Sequence, residues 1–74
     1  MSNQTFGQKA VGLSFNPSSS NEVDSIKSKA AGLIDELHAK REYTNDDEVK
    51  RMLSIAITEL QSAQMWAVKA VTWK

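Results

Sequence analysis

From Arg51 to Trp73 the chain runs without proline or glycine, and its apolar positions do not keep to one side. Ala56, Ala63, Ala67 and Ala70 form a stripe of small residues, while Ile55, Ile57, Met65, Trp66, Val68, Val71 and Trp73 spread around the rest. On a 3.6-residue period this predicts one long helix with more apolar surface than a single partner helix covers. Its start is expected near Asp46, with Thr44 or Asn45 as N-cap. Asp46, Asp47 and Glu48 complement the positive end of its dipole, and the helix is expected to run to the chain end.

A second helical period lies upstream, where Val23, Ile26, Ala30, Leu33, Ile34 and Leu37 recur at one-turn spacing. Ser19 followed by Glu22 fits a capping box at its start, and the pattern fades within Ala39, Lys40 and Arg41. Gly32 costs about 1 kcal/mol relative to alanine inside a helix, which a close helix–helix approach would explain. The polar run from Glu42 to Asp47 has the length of a helix–helix connection. Before Ser20 the pattern is different. Gly7, Gly12, Pro17 and the Ser18–Ser20 run punctuate a small apolar set of Phe6, Ala10, Val11, Leu13 and Phe15. Gln4 to Val11 is expected to form a short helix and Leu13 to Pro17 an extended segment, because Pro17 disfavours helical geometry at Asn16. The fold class expected is all-α: an antiparallel two-helix hairpin with an N-terminal arm. It forms a single domain, 1–74, with the arm at 1–20, the first helix at 20–40 and the second at 45–74.

Size sharpens the meaning of the surplus apolar surface. A chain of 74 residues is marginal alone and usually needs disulfides, a metal or oligomerisation. Cysteine is absent and His38 is the single histidine, so disulfides and thiolate zinc sites are excluded. Assembly into a compact homo-oligomer is the remaining route. Nine basic and nine acidic residues balance to zero, which argues against polynucleotide binding and against a polybasic membrane anchor. Thr58, Glu59, Gln61, Ser62, Gln64 and Lys69 break the apolar tail before it reaches the length of a membrane span. With no signal-peptide pattern at the start, a soluble cytoplasmic protein is expected.

Catalytic chemistry finds little footing. No serine stands in a nucleophile-elbow context, the glycines are isolated, and no cofactor or metal motif is present. His38 reads as a solvated residue helping a helix C-terminus, within reach of Asp35 as a surface pair. The chain is not expected to be an enzyme. Binding has better material in the arm. Phe15 precedes the stiff Asn16-Pro17 step, and Lys27 lies in the first turns of the first helix. An aromatic face stacks on a base for roughly 1–3 kcal/mol, and an ammonium meets a phosphate. The plainer alternative, which the residues alone favour, has Phe15 plugging the hairpin core and Lys27 on a solvated face. Arg51 and Thr58, two helical turns apart, share one side of the last helix, again with a plain surface reading. Trp66 and Trp73 have the same spacing and read as interface core rather than a ligand cage.

The string Ala56-Ile-Thr58-Glu-Leu60-Gln-Ser-Ala63-Gln-Met65-Trp66-Ala67, preceded by Arg51, closely resembles the C-terminal helix of a phage family of counter-defence proteins. These are the anti-CBASS cyclic-oligonucleotide sponges (anti-CBASS protein two), whose hairpin is shared with some anti-Thoeris sponges. Phe15-Asn-Pro17 looks like the family's aromatic-x-Pro arm, and Ile26-Lys27 falls on its Ile-Lys/Arg step, so the resemblance covers about residues 13–73. It implies a hexamer that sequesters cyclic di- and trinucleotide immune messengers, cGAMP among them, without cleavage, in the cytoplasm of the infected bacterial host. It also implies that Phe15 and Lys27 hold cyclic dinucleotides between protomers, and that Arg51, with Thr58, lines separate pockets for cyclic trinucleotides. Two departures stand out: the family commonly has tyrosine at the place of Phe15, and the Pro17 to Lys27 loop is shorter than in many relatives. The rival readings are a helical oligomerisation or protein-interaction module without nucleotide binding, and a regulatory hairpin that binds nucleic acid.

Overall fold

A computed structural model describes residues 3–15 and 21–74. Among the described residues three helices follow one another: α1 (Phe6–Ala10), α2 (Asn21–Tyr43) and α3 (Asp47–Val71). The two long helices pack as the expected hairpin, and α1 lies against α2. Among the described residues no helix is long and apolar enough to cross a membrane.

The hairpin turn forms later than the sequence suggests. Apolar periodicity fades after Leu37, yet α2 continues to Tyr43 and puts Lys40 and Arg41 in its last turn, where cations complement the dipole. Arg41 has a further tie, since Nη1 donates to Ser54 Oγ of α3 at 3.0 Å. Asp46, rather than Thr44 or Asn45, caps α3, its carboxylate accepting from the Glu48 and Val49 amides. Thr44 supports that cap from outside, its Oγ1 accepting from the Asp46 amide at 3.2 Å. At the other end α3 stops at Val71, short of the chain end.

The arm is more ordered than an extended segment. Thr5 and Gln8 form a capping box at the start of α1: Gln8 N donates to Thr5 Oγ1 and Thr5 N to Gln8 Oε1. After Val11 the chain turns through Gly12, whose φ of 62° is left-handed. Leu13 N then donates to Gln8 O at 3.0 Å and Gly12 N to Lys9 O at 3.1 Å, the Schellman pattern that ends a helix. Leu13 therefore belongs to a turn, contrary to the extended expectation. Asn16-Pro17 and the Ser19 side of the anticipated capping box lie outside the described residues.

Val11, Ala31, Ile34 and Ile57 form the buried core, with Ala10, Leu13, Ala30, Leu37 and Leu60 packed around it. Arm, α2 and α3 thus each contribute to one small cluster. Leu33, expected inside, is exposed, and Gly32 meets nothing from the rest of the chain. The close approach occurs at Gly7 instead. A Cβ there would run into the Ala31 carbonyl and stand 2.9 Å from Asp35 Oδ1. The Gly7 amide donates to that same Oδ1 at 2.6 Å, which commits Asp35 to the arm rather than to His38.

The described structure measures 44 × 29 × 14 Å along its principal axes, so it is scarcely thicker than one helix with its side chains, about 10–12 Å. A layer that thin covers few large residues. Met52, Ile55, Met65, Trp66 and Val71 all stand exposed on α3, and so does Trp73 just past its end. The alanine stripe does not supply the internal contact either, for Ala63 and Ala70 are exposed and Ala56 and Ala67 only half-buried.

Gly7→Ala is expected to release the arm from α2. Overpacking of this kind costs about 1–3 kcal/mol. The melting temperature should fall, and amides of residues 8–15 should lose hydrogen-exchange protection. Unchanged protection in the arm would contradict the close approach of Gly7 to Ala31.

Candidate functional site

Lys27 and Phe15 meet because the arm ends in a turn. The Gly12 and Phe15 carbonyls both face α2, and Lys27 Nζ donates to each, at 2.9 Å to Gly12 O. Phe15 N closes the turn on Gly12 O at 2.9 Å. The Lys27 side chain is carried under the arm, leaving the residue 5% exposed, so it is not on a solvated face. Its ammonium stands 5.3 Å from the Phe15 ring centroid, within cation–π range. Phe15 is 72% exposed and plugs nothing. Both plain readings of this pair are therefore set aside by the geometry.

A groove of about 490 Å³ opens beside the pair. Lys9, Gly12, Phe15 and Lys27 line it from the arm and α2, and Gln64 and Met65 from α3. Its walls are mainly apolar and aromatic, with two cations and one amide, a lining suited to a planar, anionic ligand. Gln61 Nε2 donates to Ala10 O at 3.2 Å and so fastens the arm to α3 along one edge.

Arg51 and Thr58 share a second hollow of about 320 Å³ with Ser54, Ile55 and Glu59. The two hollows have no lining residue in common. Glu48 already holds the Arg51 guanidinium: Nη2 donates to Oε2 at 2.6 Å and Nε to Oε1 at 3.0 Å. This hydrogen-bonded pair holds the Glu48 carboxyl below its usual pKa and raises that of Arg51. The pair lies on the surface, where such a bridge contributes little to stability. Thr58 donates its hydroxyl to Ser54 O at 3.1 Å, the usual back-bond of a helical threonine.

His38 is not a solvated end of a helix. Phe6 stacks flat on it, with ring centroids 4.0 Å apart and planes 6° from parallel. Arg41 Nη2 lies 2.9 Å from His38 Nδ1. Arginine can only donate, so Nδ1 accepts and the proton of the neutral ring is on Nε2. Arg41 also sits 5.5 Å from the Phe6 centroid. The cluster anchors the start of the arm, next to the contact that Gly7 makes with Asp35, its partner 28 residues along the chain. Trp66 and Trp73 flank Lys69, whose Nζ is 5.3 Å and 5.7 Å from their rings, and both indoles stand exposed.

Lys9 and Gln64 are members of the groove that residue pattern did not single out. Lys9 carries no local signal, since its place follows from the tertiary docking of α1. Gln64 does carry one. It lies two turns beyond Ile57, and a polar residue in a core-facing stripe calls for a partner.

No curated protein and no solved structure matches the chain. The family model of the Acb2/Tad1 hairpin domain matches residues 8–72, which takes in the arm turn, both long helices and both hollows. On that match the chain belongs to the Acb2/Tad1 hairpin family of anti-CBASS and anti-Thoeris sponges.

Proposed function

We propose that the protein is a non-catalytic sponge that binds and sequesters cyclic di- and trinucleotide immune messengers, blocking CBASS signalling in the cytoplasm of an infected bacterium. The observation that carries this reading is the groove in which an exposed Phe15 ring stands 5.3 Å from the buried Lys27 ammonium, in a chain of this family. The ring offers a stacking face for a base. Lys27 has three N–H donors, of which two go to the Gly12 and Phe15 carbonyls, and the remaining one suits a phosphate oxygen. Lys9 supplies a second cation on the same wall. Formal neutrality is no obstacle, because a few cations placed in a groove act at short range where bulk charge is not needed.

In this reading the protein works as an oligomer, a hexamer by analogy with the family. Support comes from the thinness of the chain, 14 Å along its shortest axis, and from its uncovered α3 face. A two-fold interface repeats each groove residue and suits a ligand that is itself nearly two-fold. Arg51 and Thr58 would take cyclic trinucleotides where protomers meet, with the ligand phosphate replacing Glu48 on the guanidinium. The same uncovered face supports the rival reading, a helical interaction module indifferent to nucleotides.

Calorimetry or native mass spectrometry with a panel of cyclic di- and trinucleotides separates the two. Binding without turnover is expected; silence across the panel favours the interaction module. Phe15→Ala should weaken cyclic dinucleotides by roughly 10- to 100-fold, as base–aromatic stacking is worth about 1–3 kcal/mol, with the oligomer intact. Lys27→Ala is a less clean probe, because it also strips two arm carbonyls of their donor. Arg51→Ala should weaken cyclic trinucleotides alone, and Glu48→Gln, which frees the guanidinium, should strengthen them by roughly two- to fivefold, the scale of an exposed ion pair. Equal loss of both ligand classes in Arg51→Ala would contradict two separate sites.

A further inference from the structure

Gln64 occupies the stripe of α3 that faces the rest of the chain. Ile57 belongs to the core and Leu60 packs against it. A glutamine there is costly unless its amide is satisfied, since burying a polar group without a partner disfavours folding. Gln64 is 7% exposed, and its Oε1 has no hydrogen-bond partner among the described residues. Gln61, one turn back, shows the contrast, for its amide reaches the Ala10 carbonyl at 3.2 Å. The orphaned acceptor therefore sits where a methionine would pack without loss. It also sits on a side chain that lines the same groove as Phe15 and Lys27.

We infer that Gln64 is a base-reading residue of this groove, its Oε1 accepting from the exocyclic amine of a purine stacked on Phe15. The inference rests on the cyclic-nucleotide reading and adds to it a source of base choice. Phe15 and Lys27 are blind to base identity: every base has a π-face, and every linkage carries a phosphate. The Oε1 acceptor, set against the position of the exocyclic amine, is not blind. Adenine and guanine bring it an amino group, whereas hypoxanthine has hydrogen where guanine has its amine and an oxo group where adenine has its own. In the free chain the oxygen lies just beneath the groove wall, out of contact with water. The terminal torsion of glutamine is broad, so the amide turns toward the groove at little cost and breaks no recorded bond of its oxygen. The free protein carries the unmet acceptor, and the ligand satisfies it.

The test is calorimetry of the wild-type protein with cyclic di-GMP, cyclic di-AMP, the mixed guanosine–adenosine ring, and the cyclic dinucleotide of inosine. The best-bound amine-bearing ligand is expected to exceed the inosine ligand by about tenfold, the scale of one net hydrogen bond. In Gln64→Met that preference should vanish, while the ligand-free variant melts at the wild-type temperature or above it. Such a combination is not what a structural glutamine gives. The ligand comparison needs no variant, so it stands even if Gln64→Met does not fold. Wild-type protein that binds the inosine ring as tightly as the others overturns the inference and leaves the sponge reading in place. Full preference retained in Gln64→Met overturns it too. Wild-type protein that binds none of the four overturns the inference together with the cyclic dinucleotide part of the sponge reading.

Discussion

A buried ammonium has to find acceptors, and in this protein the search for them organises the arm. Lys27 is nearly enclosed, and the carbonyls of Gly12 and Phe15 are what it donates to. Those carbonyls converge only because α1 ends in a Schellman turn with Gly12 in the left-handed region. The same turn leaves Phe15 on the outside with its ring over the charge. Remove the ammonium and the Gly12 and Phe15 carbonyls lose the donor that draws the end of the arm onto α2. The groove beside α3 would then lose its arm-side wall. The positive charge thus has a positioning role within the chain as well as the ligand contact proposed for it.

The second constraint is thickness. Helices one layer deep cover one face of each, and the core here is a handful of side chains from arm, α2 and α3. Besides the Lys27 bonds, the arm is fixed by the Phe6–His38–Arg41 stack, the Gly7 approach to Ala31, and the Gln61 bond to Ala10. What it cannot do is cover the rest of α3, where Met52, Ile55, Met65 and Trp66 remain exposed, as does Trp73 past its end. Burying them against other copies, as proposed, would add the core that a chain of 74 residues cannot build alone.

The hairpin was legible because long apolar periods and a polar connection survive any tertiary detail. Its ends were not, since α2 continues beyond its apolar period through Arg41, whose bond to Ser54 depends on α3 being there. The ordered arm was legible in principle: Thr5 with Gln8 is a capping box, and Gly12 is the glycine a helix end favours. Gly32 drew attention as a packing glycine, but Gly7 has that role, and a glycine gives no sign of which backbone will approach it. For the site, resemblance selected Phe15 and Lys27 where residue statistics favoured plain packing, and the structure brings them together. It equally puts Arg51 and Thr58 on one hollow, with Glu48, one helical turn before Arg51, as the guanidinium's partner. Lys9 is beyond any local signal.

The central claim is that the groove holds a cyclic dinucleotide and returns it unchanged. The direct measurement is to equilibrate the protein with a cyclic dinucleotide it binds, remove unbound ligand, denature the protein by heat, and identify what is released by chromatography. The account predicts intact ring in a fixed ratio to protein. Release of linear or mononucleotide product, or retention of no ligand at all, would contradict it.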